Sequence, residues 1–261
     1  MKKKFLAIFI IAMVSLSCVA CSNDNKQAEE PAEQKIEENI SNSNETEVSK
    51  TEEKEDVNEN LEGIDLINSI DNKRPEKLMI KSEMTSYGTT TKMATYYNGD
   101  MTRTEMDVPG MSKSILIFLP NESVMYSYVY GETEGVKMIG ANTTYAEEMG
   151  LMVDNSDFLT EVVEESSKDV IARVEKLEGE EVIYIEATET DEEIGDVLVK
   201  MWYSKKYGTP LKYEVAIGEK TMMQLNVTEI SDNVNIDESL FVPPSDVNFE
   251  EMSMEKMMEN W

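Results

Sequence analysis

Cys18 and Cys21 are the only cysteines in the chain, and their C-x-x-C spacing could serve two chemistries. A redox pair sits at the start of a helix within a βαβ unit. A zinc site needs two further ligands, and the chain has no third cysteine and no histidine to supply them. The missing histidines also remove the commonest general base near neutral pH, which leaves carboxylates, Lys, Tyr and Ser. Two acidic clusters, Asp154-Asn155-Ser156-Asp157 and Asp191-Glu192-Glu193 with Asp196, lack the spacing and glycine of an EF-hand loop and read as solvated turns. No carboxylate pair is singled out for glycoside hydrolysis. The C-terminal stretch EEMSMEKMMENW would place Met254, Met257 (or Met258) and Trp261 on one face of a helix. That face could dock on its own domain, bind a partner, or offer thioethers to Cu(I), a weak soft-metal site without His or Cys. These residue types predict a protein that is not an enzyme and holds no metal or cofactor.

The residues around the cysteines give them a different meaning. MKKK is followed by FLAIFIIAMVSL, twelve residues without a charge or a helix breaker. A basic start and an apolar run of that length describe a secretory signal, too short for a spanning helix of about 20 residues. The stretch resembles the lipobox of bacterial lipoproteins, in which the last cysteine is lipidated and becomes the new N-terminus. Val19-Ala20-Cys21 matches its last three positions, with Cys18 where Leu is usual. The alternative, Ser15-Leu16-Ser17-Cys18, puts the large Leu16 where a small residue is usual. The resemblance implies residues 1–20 as the signal peptide and Cys21 as the lipidation site. It also implies a chain held by its N-terminal lipid alone on the outer, extracytoplasmic face of the cell membrane.

Charge limits the partners. The chain carries 53 acidic and 24 basic side chains, net −29, so nucleic acid and anionic headgroups are poor partners for its folded part. Residues 21–60 read as the lipidated acidic tether. From Ser22 onward it has no aromatic and almost no aliphatic residue, and cannot offset the entropy of ordering. As a coil it would reach about 34 Å, from ~5.5 Å times the square root of its length. Residues 61–249 read as one domain that buries about 70% of its unfolded surface, and 250–261 as a Met-rich tail.

The domain opens with a helix candidate, LEGIDLINSI, in which Leu61, Ile64, Ile67 (or Leu66) and Ile70 recur at helical spacing. Period two follows in LMIKSEMTSY, TKMATYY, DMTRTEMD, KSILIFL, SVMYSYVY and GVKMI, with Asn98-Gly99 as a hairpin signal. Residues 142–168 break the period with two helical stretches. Strands return as DVIARVEKL, EVIYIEAT, DVLVKMWYS, PLKYEVAI and KTMMQLNVTEI. The fold class is therefore mainly β with a few helices (α+β). About eleven antiparallel strands form one sheet, curled into a half-closed barrel whose concave side is either packed by a helix or left as an apolar pocket.

Large apolar residues at alternate positions mark a ligand-binding face. Its candidates are Ile115, Ile117, Tyr126, Tyr128, Val199, Met201, Leu211, Tyr213, Val215 and Leu225. The chain also has 19 methionines, whose soft side chains either fill core gaps or suit ligands of varied shape. The pattern does not say which face each Met takes.

The order of elements, MWYSKKYGTPLKYEVAIGEK and the closing VNIDESLFVPPSDVNF resemble the LolA/LolB-like lipoprotein-carrier superfamily, including its Gram-positive membrane lipoproteins. The resemblance spans about residues 62–249. It implies that Trp202, Tyr207, Gly208, Pro210, Leu240, Phe241 and Pro244 set turns and plug one end of the sheet. It also implies an unclosed antiparallel half-barrel wrapped around a helix, with a cavity for acyl chains or another apolar ligand and no catalytic residues. A second expectation is a non-catalytic envelope or spore-germination scaffold, meeting a protein partner through its acidic surface or Met-rich tail.

Overall fold

The computed structural model describes residues 61–70, 73–142, 170–191 and 194–253. The signal, the tether, the two expected helices of 142–168 and the tail beyond Ser253 lie outside them, as does Asp154–Asp157. One short helix, α1 (Gly63–Asn68), precedes twelve strands. These are β1 (Lys77–Ser86), β2 (Thr89–Asn98), β3 (Met101–Asp107), β4 (Ser114–Leu119), β5 (Val124–Val129) and β6 (Glu134–Ile139), then β7 (Ile171–Leu177), β8 (Glu180–Asp191), β9 (Gly195–Ser204), β10 (Thr209–Ile217), β11 (Lys220–Ser231) and β12 (Asn248–Ser253).

All twelve form a single open sheet in the order β12-β6-β5-β4-β3-β2-β1-β11-β10-β9-β8-β7, an unclosed half-barrel. Two meanders, β1 to β6 and β7 to β11, meet where β1 pairs antiparallel with β11. Tight turns drive each hairpin. Tyr87-Gly88 and Glu178-Gly179 both hold two successive positive φ angles, the twist that suits two-residue hairpins. The β2–β3 hairpin closes one residue later than the sequence predicts: Asn98 pairs with Met101, and Gly99-Asp100 form the loop.

Register fixes two faces. Val199, Val215 and Met223 lie in one cross-strand row, as do Met201, Tyr213, Leu225 and Met84. α1 packs on this inner face, burying Leu66 and Ile67 among Ile183, Ile185, Val197, Val199, Met201, Tyr203, Tyr213 and Val215. Ile64, predicted on the buried stripe, is 46% exposed, because six helical residues bring only one turn against the sheet.

The outer face mixes Tyr184 and Trp202 with Glu186, Lys200, Lys212 and Glu214 over β8–β10 and carries an apolar patch over β3–β5. There Ile115, Ile117 and Leu119 are buried by Ile236 and Phe241. These two belong to a strap, residues 232–247, that runs from β11 across the sheet to its far edge. The strap buries one side of β4, and Leu116 and Phe118 are buried on the other at 3% and 1% exposure, which explains its run of five apolar residues, ILIFL. The strap ends in β12, which the sequence pattern does not reveal: it pairs parallel with β6 and spans the boundary drawn at 249/250. Phe249 anchors it, edge-on to Tyr126 and Tyr128 with ring centroids 5.1 and 5.9 Å away. Gly135 makes the room, since a Cβ there would meet that ring at 2.7 Å.

A buried cation ties the strap down. Arg103 Nη1 donates to the Leu240 carbonyl at 3.0 Å, while Nε and Nη2 donate to Glu105 Oε1 at 3.0 and 2.9 Å. The Arg103 side chain is only 11% exposed. Arg103→Met should therefore lower stability by about 2–3 kcal/mol, since it leaves a carboxylate and a carbonyl short of a partner. Lys113→Met, at the exposed end of the same network, should cost under ~1 kcal/mol. Urea unfolding of the two variants checks the ranking, and equal costs would contradict the latch.

Candidate functional site

The ten residues expected to line one ligand face fall into three groups. Val199, Met201, Tyr213, Val215 and Leu225 come together on the inner face under α1. Ile115, Ile117, Tyr126 and Tyr128 lie on the outer face under the strap. Leu211 belongs to a third group with Leu78, Ile80, Tyr97, Val182 and Tyr207. The sheet itself separates the first group from the second, so they do not line one cavity. Of the first group, Val199, Met201, Tyr213 and Val215 are buried in one cluster with α1's own Leu66 and Ile67.

The face assignments bring other residues together. Met84, Met93, Met106, Met125, Met138 and Met252 all take the inner face of the β1–β6 meander and β12. The pairing makes rows. Leu78, Tyr97, Thr102, Phe118, Met125, Met138 and Met252 form the one nearest the β2–β3 and β4–β5 turns. Ile80, Thr95, Thr104, Leu116, Ser127 and Val136 form the next. Ser82, Met93, Met106, Ser114 and Val129 form the third. The first row is buried from Leu78 to Met138, with Phe118 at 1% and Met125 at 0% exposure. In the third row, Met93, Met106 and Val129 are only partly buried. On β2–β6 burial therefore deepens from one rim of the sheet to the other, whereas on β1 Ser82 and Met84 stay buried at 6% and 8% exposure, Met84 in the cluster that holds α1.

The deep rim is sealed by the turn between β9 and β10. Tyr207 packs among Leu78, Ile80 and Tyr97. Gly208, at φ +61°, lets the chain pass so close to Lys73 that a Cβ would lie 2.8 Å from its carbonyl oxygen. Arg74 then caps Tyr97, its guanidinium 3.9 Å from the ring centroid and its Nη2 donating to the Gly99 carbonyl at 3.3 Å. Of the other residues singled out in that motif, Trp202 lies on the outer face, tilted against Tyr184 at 5.1 Å. Leu240 and Phe241 lie in the strap.

The inner face offers soft, apolar contact and little acid–base chemistry. Burial pushes the phenols of Tyr97 and Tyr213 well above the usual tyrosine range, so both stay neutral. Thr95 and Thr104 share a hydroxyl hydrogen bond of 3.3 Å. Among the described residues, no three His, Cys, Asp or Glu side chains gather as a metal site. The face-sorted methionines escape a reading of the sequence because their positions carry no common period; only the ladder registers align them.

No known protein family matches the sequence, and no curated protein does either. The fold is similar to several solved structures. An uncharacterised conserved protein of Thermus thermophilus aligns at TM-score 0.44 and 11% identity, over 68% of this chain and 91% of that one. The MucA/MucB complex of Pseudomonas aeruginosa aligns at TM-score 0.40 and 10% identity, over 67% of this chain but only 58% of that one. A LolA superfamily protein of Nitrosomonas europaea aligns at TM-score 0.34 and 8% identity, over 70% and 98%.

The sealed rim yields a ranking. Gly208→Ala meets both left-handed strain and the Lys73 backbone, whereas Gly99→Ala, at φ +57° with open space around it, meets strain alone. The latter should cost about 1 kcal/mol and the former clearly more. Denaturant midpoints decide, and a Gly208→Ala protein as stable as Gly99→Ala would remove the close approach from the account.

Proposed function

We propose that this chain is a membrane-anchored extracytoplasmic lipoprotein, tethered through a lipid on Cys21. Its half-barrel binds a lipid or similar apolar ligand on the methionine-bearing inner face of β1–β6. The observation that carries the ligand reading is the sorting of six methionines to one side of neighbouring strands, with burial graded from rim to rim on β2–β6. Unbranched thioethers adapt to acyl chains of different length and bend. An apolar lining with few polar groups is the usual make-up of such a site. The anchor is supported by the MKKK start, the short apolar run and Val19-Ala20-Cys21.

A second reading is a scaffold that binds a protein partner and holds no ligand. It is favoured by the inner face of β8–β11, where Leu66 and Ile67 of α1 fill the space from within the chain. The two readings assign non-catalytic roles to different halves of one sheet.

Native mass spectrometry of the purified chain should show co-purified lipid, and an apolar fluorophore should bind and be displaced by fatty acid. Met93→Lys, at a partly buried position of the inner face, should weaken fluorophore binding roughly tenfold or more, equivalent to ~1.4 kcal/mol. A lipid-free spectrum together with unchanged binding in the variant would overturn the ligand reading in favour of the scaffold. The anchor is tested separately. Cells given radioactive fatty acid should label the wild-type and Cys18→Ala chains but not Cys21→Ala.

A further inference from the structure

The ladder registers place five turns along one rim of the sheet. Ser86 pairs with Thr89, Lys92 with Asp107, Tyr128 with Gly135, Ile217 with Lys220, and Asp191 with Gly195. The turns that follow these pairs all point the same way, away from the sealed rim. Four of them carry an exposed large apolar side chain: Tyr130 at 71%, Met111 at 50%, Tyr87 at 61% and Ile194 at 48%. The hairpin turns of the opposite rim carry none among the described residues. They present Gly99-Asp100, Asn121-Glu122-Ser123, Glu178-Gly179 and Lys205-Lys206 instead.

Three of the apolar tips are consecutive: Tyr130 between β5 and β6, Met111 between β3 and β4, and Tyr87 between β1 and β2. Turns two strands apart stand about 10 Å from one another, so the three side chains span a line of roughly 20 Å. A line of that length fits a broad surface better than a pocket. Its turns read Tyr87-Gly88, Val108-Pro109-Gly110-Met111-Ser112-Lys113 and Tyr130-Gly131-Glu132-Thr133, and their two charges, Lys113 and Glu132, cancel. On a chain of net −29, this is a neutral edge. Exposed tyrosines flanking a flexible thioether suit the boundary between headgroups and acyl chains, where amphipathic rings settle.

We infer that this rim is a second membrane contact: Tyr87, Met111 and Tyr130 rest on the surface of an uncharged or zwitterionic bilayer. The contact adds to the N-terminal lipid, which the sequence alone presents as the sole attachment. It also turns the shallow end of the methionine face toward the lipid and the sealed end away. The inference rests on the anchored reading for keeping a bilayer within reach of the domain.

The test uses the full lipidated chain in a Cys18→Ala background, incorporated into phosphatidylcholine vesicles. A fluorophore is attached at Met111→Cys or, on the opposite rim, at Asn121→Cys, and is quenched by aqueous iodide. The label at Met111→Cys should be protected several-fold relative to that at Asn121→Cys, and Tyr87→Ser with Tyr130→Ser should remove most of that protection. Replacing phosphatidylcholine by phosphatidylglycerol should weaken it. Equal quenching at the two positions overturns the inference and leaves the tips to a protein partner. Protection that survives both serine substitutions also overturns it. If fatty-acid uptake shows no lipid on Cys21, the anchored reading has failed; the same quenching comparison with excess vesicles and the unanchored chain then judges the rim alone.

Discussion

The β1–β11 seam makes this molecule one sheet. The two meanders are each local, built from hairpins that close over a few residues. Their union depends on strands that lie more than a hundred residues apart in sequence, pairing Lys81 with Glu229 and Met84 with Leu225. The seam is not a plain ladder. Between Lys81 and Ser82 the register shifts, and Thr228 is the extra residue on β11. Its hydroxyl donates to the Lys81 carbonyl at 3.2 Å, so the residue set outside the ladder still bonds across it. Bulges bend a strand and increase its twist, and a second shift between Pro210 and Lys212 lies near the sealed rim. The Lys81–Glu229 ion pair spans the seam at 2.7 Å but is half exposed, so its contribution is small. Long-range closure of this kind is slow to form, and the seam is where such slowness would be concentrated.

Once the seam exists, the outer face sets a second constraint. β4 is apolar at every position from Ile115 to Leu119, and a strand with two apolar sides must be covered twice. The strap meets that need with Ile236 and Phe241, and Asp237 shapes it by accepting from the Ser239 amide at 2.8 Å. The Ser239 hydrogen bonds hold the Asp237 carboxyl below the usual range, so it stays charged across ordinary pH. β12 follows as the strap's last act and moves the sheet edge from β6, which carries Tyr-facing Gly135, to a strand rich in glutamate. Acidic side chains on an exposed edge discourage pairing with another chain.

The eleven antiparallel strands were legible because hairpin turns and period two are local signals. β12 was not, since NFEEMS has glutamates on both faces and its partner is reached only by way of the strap. The candidate ligand residues show the deeper limit. Within one strand, alternation says that Ile115 and Ile117 share a side, or that Val199 and Met201 do. Whether those two pairs share the same side depends on every register between β4 and β9, including the bulges. They take opposite sides. The run ILIFL held the missing clue, because a strand with no polar side cannot assign its ligand face by pattern.

The same parity separates three tasks within one sheet. The outer apolar residues of β3–β5 hold the strap, and the inner residues of β8–β11 hold α1. Neither group is free for another partner without unpacking its own chain. The third group is the inner side of β1–β6, where methionine alternates with threonine and serine across the rows and where, on β2–β6, burial lessens toward the neutral rim. A sealed end needs rigid, close-packed parts, and it has Gly208 against Lys73 and Arg74 over Tyr97. Toward the other rim the lining includes the partly buried Met93 and Met106, whose unbranched side chains repack easily. The division of rigid and soft residues therefore follows the depth of the half-barrel, and it is this gradient, more than any single residue, that gives the sheet a direction.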